Sequence, residues 1–154
     1  MWIFSAKLTK AKAVAIVLLG GVVLCGLIFA AHQLQQSALP PDGQGVSDNA
    51  ARAAYLSAWG WEVDPAATET LDLVLPAGED ASFETFNEVQ KENGMDLTPY
   101  RGRHLRRYTY TVRNYPGRPE GVQADLYLCG DTVVAGVILA TGEDAFTGSL
   151  RYPK

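Results

Sequence analysis

Nineteen residues, Ala13 to Ala31, run AVAIVLLGGVVLCGLIFAA with no charge and no strongly polar side chain. A helix of this length rises about 28 Å, close to the hydrocarbon thickness of a bilayer. Backbone polar groups inside lipid must pair within the segment, so such a run reads as a membrane-spanning helix. Lys7, Lys10 and Lys12 precede it, and the next charge is Asp42. The positive-inside rule then puts the basic residues 1–12 in the cytoplasm and residues 32–154 outside the cell. The run is long for the core of a signal peptide, and His32 to Ser37 offers no small-x-small cleavage pattern, so an uncleaved anchor is expected. A lipoprotein would need a small residue before the modified cysteine, whereas Leu24 precedes Cys25 in the middle of the run, so Cys25 reads as apolar filler. Gly21 and Cys25, and Gly26 and Ala30, are small residues four apart, a spacing that lets two helices approach closely. The plainer reading is that Gly and Ala are common in such helices anyway.

Residues 32–47, HQLQQSALPPDGQGVS, are rich in Gln, Pro, Gly and Ser and read as a flexible linker. The domain proper is expected over 48–154. Its charge is uneven. From Asp42 onward ten Lys and Arg stand against seventeen Asp and Glu, a net of −7. Residues 42–100 hold twelve acids against Arg52 and Lys91, while residues 101–154 hold eight basic residues against five acids. A net acidic domain is a poor match for nucleic acid, whose phosphates need positive surface. With Cys25 in the apolar run, Cys129 is the one thiol of the outer domain, which excludes a disulfide-stapled scaffold.

Along the domain, Ser47 or Asp48 caps a helix through Trp59, and Gly60 suits the left-handed position beyond its last turn. Trp61-Glu62-Val63 reads as a short strand, with Trp59 and Trp61 packing at the corner or, alternatively, forming an aromatic ligand platform. Thr68–Leu75 alternates with Leu71, Leu73 and Leu75 on one face, which predicts a strand with one buried side. Ser82 is expected to cap a second helix that ends at Gly94, with Phe83, Phe86, Val89 and Gln90 spaced for one face. A long strand follows from Arg103 to Asn114, with Tyr108, Tyr110 and Val112 opposed to Arg107, Thr109, Thr111 and Arg113. Val122–Cys129 and Thr132–Leu139 flank Gly130-Asp131, the pattern of a two-residue hairpin. Pairing outward from that turn sets Leu128 beside Val133, Leu126 beside Ala135, Ala124 beside Val137 and Val122 beside Leu139. The other face carries Gln123, Asp125, Tyr127 and Cys129. From Thr141 the chain reads as irregular or a short terminal helix. The fold class is α+β, with two helices laid on one face of a mostly antiparallel sheet of about five strands.

Several of these residues resemble a family. They are Ala54-Tyr55-Leu56, Trp59-Gly60-Trp61-Glu62-Val63-Asp64-Pro65, Phe86-Asn87, Asp96-Leu97, Tyr100-Arg101-Gly102, Arg107-Tyr108-Thr109-Tyr110 and Asn114-Tyr115-Pro116. Over roughly residues 48–150 the chain is similar to a small membrane-anchored family of clostridia-type Gram-positive bacteria known as a domain of unknown function. The resemblance implies a membrane location and an α+β fold, and brings no catalytic residue with it.

The strongest chemical feature is the basic run Arg101, Arg103, His104, Arg106 and Arg107, with Arg113 and Arg118 beyond. Arginine forks bind carboxylate or phosphate in pairs of hydrogen bonds. Arg101, Arg103, Arg106 and Arg107 are therefore the candidate ligand site, for an anionic wall polymer or lipid headgroup. The competing reading is internal: the arginines answer the acids of 42–100 across the sheet, and alternation puts Arg106 and Arg107 on opposite faces. His104 and Cys129 are the available base and nucleophile, without a marked third group. His32 and His104 lie far apart, and no ligand spacing for a metal, phosphate loop or nucleophile elbow is present. No metal or cofactor is expected. The leading expectation is a single-pass membrane protein whose outer domain binds an envelope protein or anionic wall polymer without catalysis. The alternative is an envelope enzyme using scattered carboxylates and His104. A third reading is a structural partner of another membrane protein through the Gly26/Ala30 face.

Overall fold

The computed structural model of the chain describes residues 41–153. The basic terminus, the apolar run 13–31 and most of the linker lie outside the described residues. Among the described residues no helix is long and apolar enough to cross a membrane.

Helix α1 spans Asn49–Ala58. The Asp48 carboxylate accepts from the Ala51 N–H at 2.7 Å, satisfying one of the donors a helix start leaves open. Gly60 ends the turn at φ +98°. Strand β1 is Glu69–Val74 and helix α2 is Ala81–Glu92. Asp80, not the expected Ser82, caps α2 by accepting from the Phe83 N–H at 3.0 Å. A 3-10 turn at Thr98–Tyr100 leads to β2, His104–Thr111. Strands β3 (Val122–Cys129), β4 (Thr132–Ala140) and β5 (Phe146–Gly148) complete the domain. The five strands lie in sequence order, every neighbour antiparallel. The expected strand at Trp61–Val63 is a single bridge from Val63 to Val112. The chain after Thr141, expected to be irregular or helical, supplies β5 instead.

The two helices do not share a face of the sheet. Tyr55 and Leu56 of α1 pack with Tyr110, Ala124, Leu126 and Ile138. Phe83 of α2 packs with Leu105, Val134 and Ala135 on the other side. The reason is β4, where Val133 to Ile138 are buried without a break. A strand that is apolar on both faces needs cover on both. Trp59 and Trp61 belong to the α1 side as packing. Trp61 is 1 % exposed, stacks on Tyr115 at 5.9 Å and donates its indole N–H to the Leu150 carbonyl at 2.6 Å.

The hairpin register holds only at the turn. Cys129 faces Thr132 and Leu128 faces Val133, as expected, but Tyr127 faces Ala135 and Leu126 faces Gly136. Val134 is the extra residue of a β-bulge, and it and Ala135 both turn toward α2. The bulge delivers Gly136 opposite Leu126, where a Cβ would stand 2.4 Å from Cδ1 of the fully buried Leu150. Only glycine leaves room for Leu150 there.

The outer edge of β4 is closed along its length by three devices. At one end the Val133 N–H donates to the Gly43 carbonyl at 2.8 Å, and Val46 is buried in the core. The last residues of the expected linker are thus part of the domain. At the other end β5 pairs with Ile138 to Ala140. Between them the Gly136 N–H donates to Gln90 Oε1 and the Gly136 carbonyl accepts from Asn93 Nδ2, both at 2.8 Å. Asn93 Oδ1 also accepts from the Leu150 N–H at 2.7 Å. Gln90 and Asn93 are fully buried. Asn93→Ala therefore leaves a buried carbonyl and a buried N–H without partners, at about 1–3 kcal/mol each. Urea unfolding of the variant is expected to show a loss of roughly 3 kcal/mol, against well under 1 kcal/mol for Glu92→Ala on the exposed side of the same turn.

Candidate functional site

The face of the sheet beneath α2 carries a polar line across three strands. The register sets Glu69, Thr109 and Asp125 side by side, with Leu71, Arg107 and Tyr127 in the next row. Asp125 is the one acid in β3 and is 4 % exposed. The Thr109 hydroxyl donates to its Oδ1 at 2.6 Å. Arg107 Nη2 donates to Glu69 at 2.6 Å, and Arg107 Nε lies 3.7 Å from Asp125 Oδ2, an ion pair without a hydrogen bond. Burial pushes the Asp125 carboxyl above its ordinary range, Thr109 and Arg107 pull it back, and Glu69 adds to the rise. The Tyr127 phenol is raised by burial and by Asp125. Arg107 ties the two acids together, and its own charge is opposed by burial but sustained by Asp125, Tyr127 and Glu69.

The four arginines of the expected anion site do not converge. Arg101 binds Glu84 and the Gly78 carbonyl and lies over the Phe83 ring at 3.8 Å. Arg103 is exposed in the turn before β2, and its carbonyl receives the Leu75 N–H. Arg106 pairs with Asp72 at 2.7 Å on the α1 side, and Arg107 pairs with Glu69 on the α2 side. Arg113 holds both oxygens of Asp64 at 2.7 Å. Four of these cations thus reach acids from residues 42–100. His104 lies across from Val74, on the α1-side face of β2, whereas Cys129 packs in the α2-side cluster. The sheet separates this base from this thiol. Among the described residues no three His, Cys, Asp or Glu are placed to hold a metal ion. A groove of about 410 Å³ runs beside α1, lined by Ala53, Ala54, Ser57, Trp61, Val63 and Pro65, with Glu62 as its one charge.

The sequence marks Asp125 as an acid in an apolar strand but does not reveal its partners. Those depend on the β2–β3 register, which only the three-dimensional pairing fixes.

A second surface stands out at the sheet's other end. The Leu75 N–H donates to the Arg103 carbonyl at 3.0 Å. Antiparallel pairs alternate, so Leu73, Leu71 and Glu69 direct their backbone groups to β2. Thr70, Asp72 and Val74 direct theirs outward, and among the described residues nothing pairs with them. All of β1 except Leu73 is exposed. The strand was expected to bury Leu71, which is 43 % exposed, because α2 covers Leu75 and Leu73 but does not extend that far. With Val74 at 52 %, β1 carries two of the three exposed large apolar side chains among the described residues, the third being Tyr152.

These features define a small domain in which a five-strand antiparallel meander lies between two helices, closed at one edge and open at the other. The chain belongs to the DUF4830 family, a domain of unknown function, whose model matches residues 55–138, from the middle of α1 into β4. No curated protein and no solved structure matches it.

The line of charge gives a pH test. A carboxyl whose folded pKa lies above the ordinary 3.8 stabilises the fold fully below 3.8, and that contribution is lost as pH rises through the folded value. Asp125→Asn removes this titration. The stability of the natural chain relative to the variant is expected to fall as pH rises above the ordinary 3.8, read as the difference in urea midpoints. A difference that stays flat as pH rises would show that Asp125 titrates alike in both states.

Proposed function

We propose that this is a single-pass membrane protein whose domain lies outside the cell and serves as a binding module, without catalysis, through the open edge of β1. The observation that carries this reading is the contrast between the two sheet edges. The β4 edge is closed by Gly43, Gln90, Asn93 and β5. The β1 edge offers three outward N–H groups and three outward carbonyls beside Leu71 and Val74. Main-chain edges of this kind bind extended segments by strand addition, with the alternate side chains giving specificity. The arginines support the same choice, because Arg101, Arg106, Arg107 and Arg113 are each paired with an acid of the domain itself. The anchor rests on the uncharged run 13–31, and the orientation on Lys7, Lys10 and Lys12.

Two measurements test the two halves of the proposal. Protease added to intact cells with opened walls is expected to degrade the domain. Survival there, with loss only after lysis, would invert the topology. For the edge, hydrogen exchange on the full chain in its own membrane is expected to show the outward amides of Thr70, Asp72 and Val74 protected. Dilution into detergent should release them to fast exchange. Equal, fast exchange in both states would remove β1 as a binding surface.

A further inference from the structure

We infer that the open edge of β1 takes the β1 strand of a second copy of this chain, antiparallel, about a two-fold axis through Leu71. This rests on the reading of that edge as the binding surface and names its occupant.

The first argument is charge. The domain from Asp42 onward carries −7, so copies repel one another in general. The β1 edge is the exception. Its acids Glu69 and Asp72 are each held by an arginine of β2, at 2.6 and 2.7 Å, so the edge presents no net charge to an identical neighbour. For the same reason a basic peptide gains little there, since its cations would meet carboxylates already paired.

The second argument is register. Antiparallel pairing of outward-facing residues allows only a few two-fold solutions. With the axis at Leu71, Leu71 meets its own copy on the α2-side face, and Glu69 meets Leu73 of the partner subunit. On the opposite face Thr70 stands across from Asp72 of the partner subunit, a hydroxyl donor facing a carboxylate. With the axis at Asp72, two carboxylates face each other. With the axis at Leu73, Asp72 faces Val74 of the partner subunit. The Leu71 register is favoured because it joins the two exposed leucines on one face and sets each Asp72 beside a hydroxyl on the other. Two sheets of five strands would become one of ten. A single pair of six-residue strands buries less than a standard stable interface, so the pairing is weak in dilute solution and depends on both copies sharing a membrane.

In this register Leu71 and its copy form a non-hydrogen-bonded pair, with Cα atoms about 4.5 Å apart. That lies within disulfide reach of about 4.4–6.8 Å. The test uses the full chain in membranes, with Cys25→Ser and Cys129→Ser removing both natural thiols. Under mild oxidation Leu71→Cys is expected to give a covalent dimer. Thr70→Cys and Asp72→Cys, each alone, should give about tenfold less, because neither meets its own copy, and the two combined should restore the dimer. Thr70→Pro added to Leu71→Cys removes an outward N–H, leaves the bonds to β2 in place, and should lower the dimer yield. Because Leu71 and Thr70 are exposed, these changes spare the core. Equal yields at the three single positions, or none at Leu71→Cys, would overturn the inference. Crosslinking of Leu71→Cys to a different protein would overturn self-pairing too, while leaving the edge as a binding surface. Unprotected amides at Thr70, Asp72 and Val74 in the membrane would instead bring down the underlying reading.

Discussion

Two side-chain amides on one backbone glycine hold this domain in its shape. β4 is buried on both faces, so its N–H and C=O groups have no water to fall back on and must be paired within the molecule. β3 supplies one side of the ladder. β5, three residues long, reaches only Ile138 to Ala140 on the other. At Gly136 the partner is not a strand but Gln90 and Asn93 at the end of α2. The same Asn93 holds the Leu150 N–H, and the Leu150 carbonyl receives the Trp61 indole from the opposite layer. A chain of bonds thus runs from α2, through the sheet edge, to the corner after α1. It fixes both helices against a sheet that neither could close alone.

The charges are arranged by the same economy of pairing. The chain is strongly acidic to residue 100 and basic after it. In sequence this imbalance looks like an invitation to an outside anion. In the fold, β1 and the segment before it lie beside β2, so the acids Asp64, Glu69 and Asp72 meet Arg113, Arg107 and Arg106 across neighbouring strands. Most of these pairs are exposed and each contributes little stability. Their effect is on register and on what the surface offers. Arg107 differs from the others because its second acid, Asp125, is buried. Removing Arg107 would strand that carboxylate, whereas removing Arg106 leaves Asp72 in water.

The sequence discloses α1 well, because Asp48, Tyr55, Leu56 and Gly60 each satisfy a separate local requirement of one helix. It also discloses the turn at Gly130-Asp131 and the strands β1 to β4, but not β5, and it expects a strand at Trp61–Val63 where the fold has one bridge. It does not disclose the bulge at Val134. β4 has no polar residue between Val133 and Ala140 to mark which face is which, so sliding by one residue costs nothing in the pattern. What decides the register is the space over Gly136 and the reach of Asn93, both set by distant chain. The placement of the helices fails for a related reason. The same unbroken apolar run that hides the register also requires cover on both faces. At the candidate site, Asp125 is conspicuous in sequence, yet Thr109, Arg107 and Glu69 become its neighbours only once three strands are aligned.

The open edge of β1 is best understood against these closures. Protected edges carry lysine, proline, a bulge, or a charge with no partner. β1 has none of these along Glu69–Val74, and its two acids, which would otherwise repel an approaching strand, are neutralised by β2. The domain spends a carbonyl from Gly43, two buried amides and a short strand to close one side of its sheet. On the other side it leaves three residues of outward backbone beside exposed Leu71 and Val74. Packing within the domain cannot account for the difference, because covering β1 would bury more apolar surface and satisfy more backbone. Among the described residues that edge is left unpaired in a fold that closes the other thoroughly, and this contrast is the ground for the pairing inferred for β1.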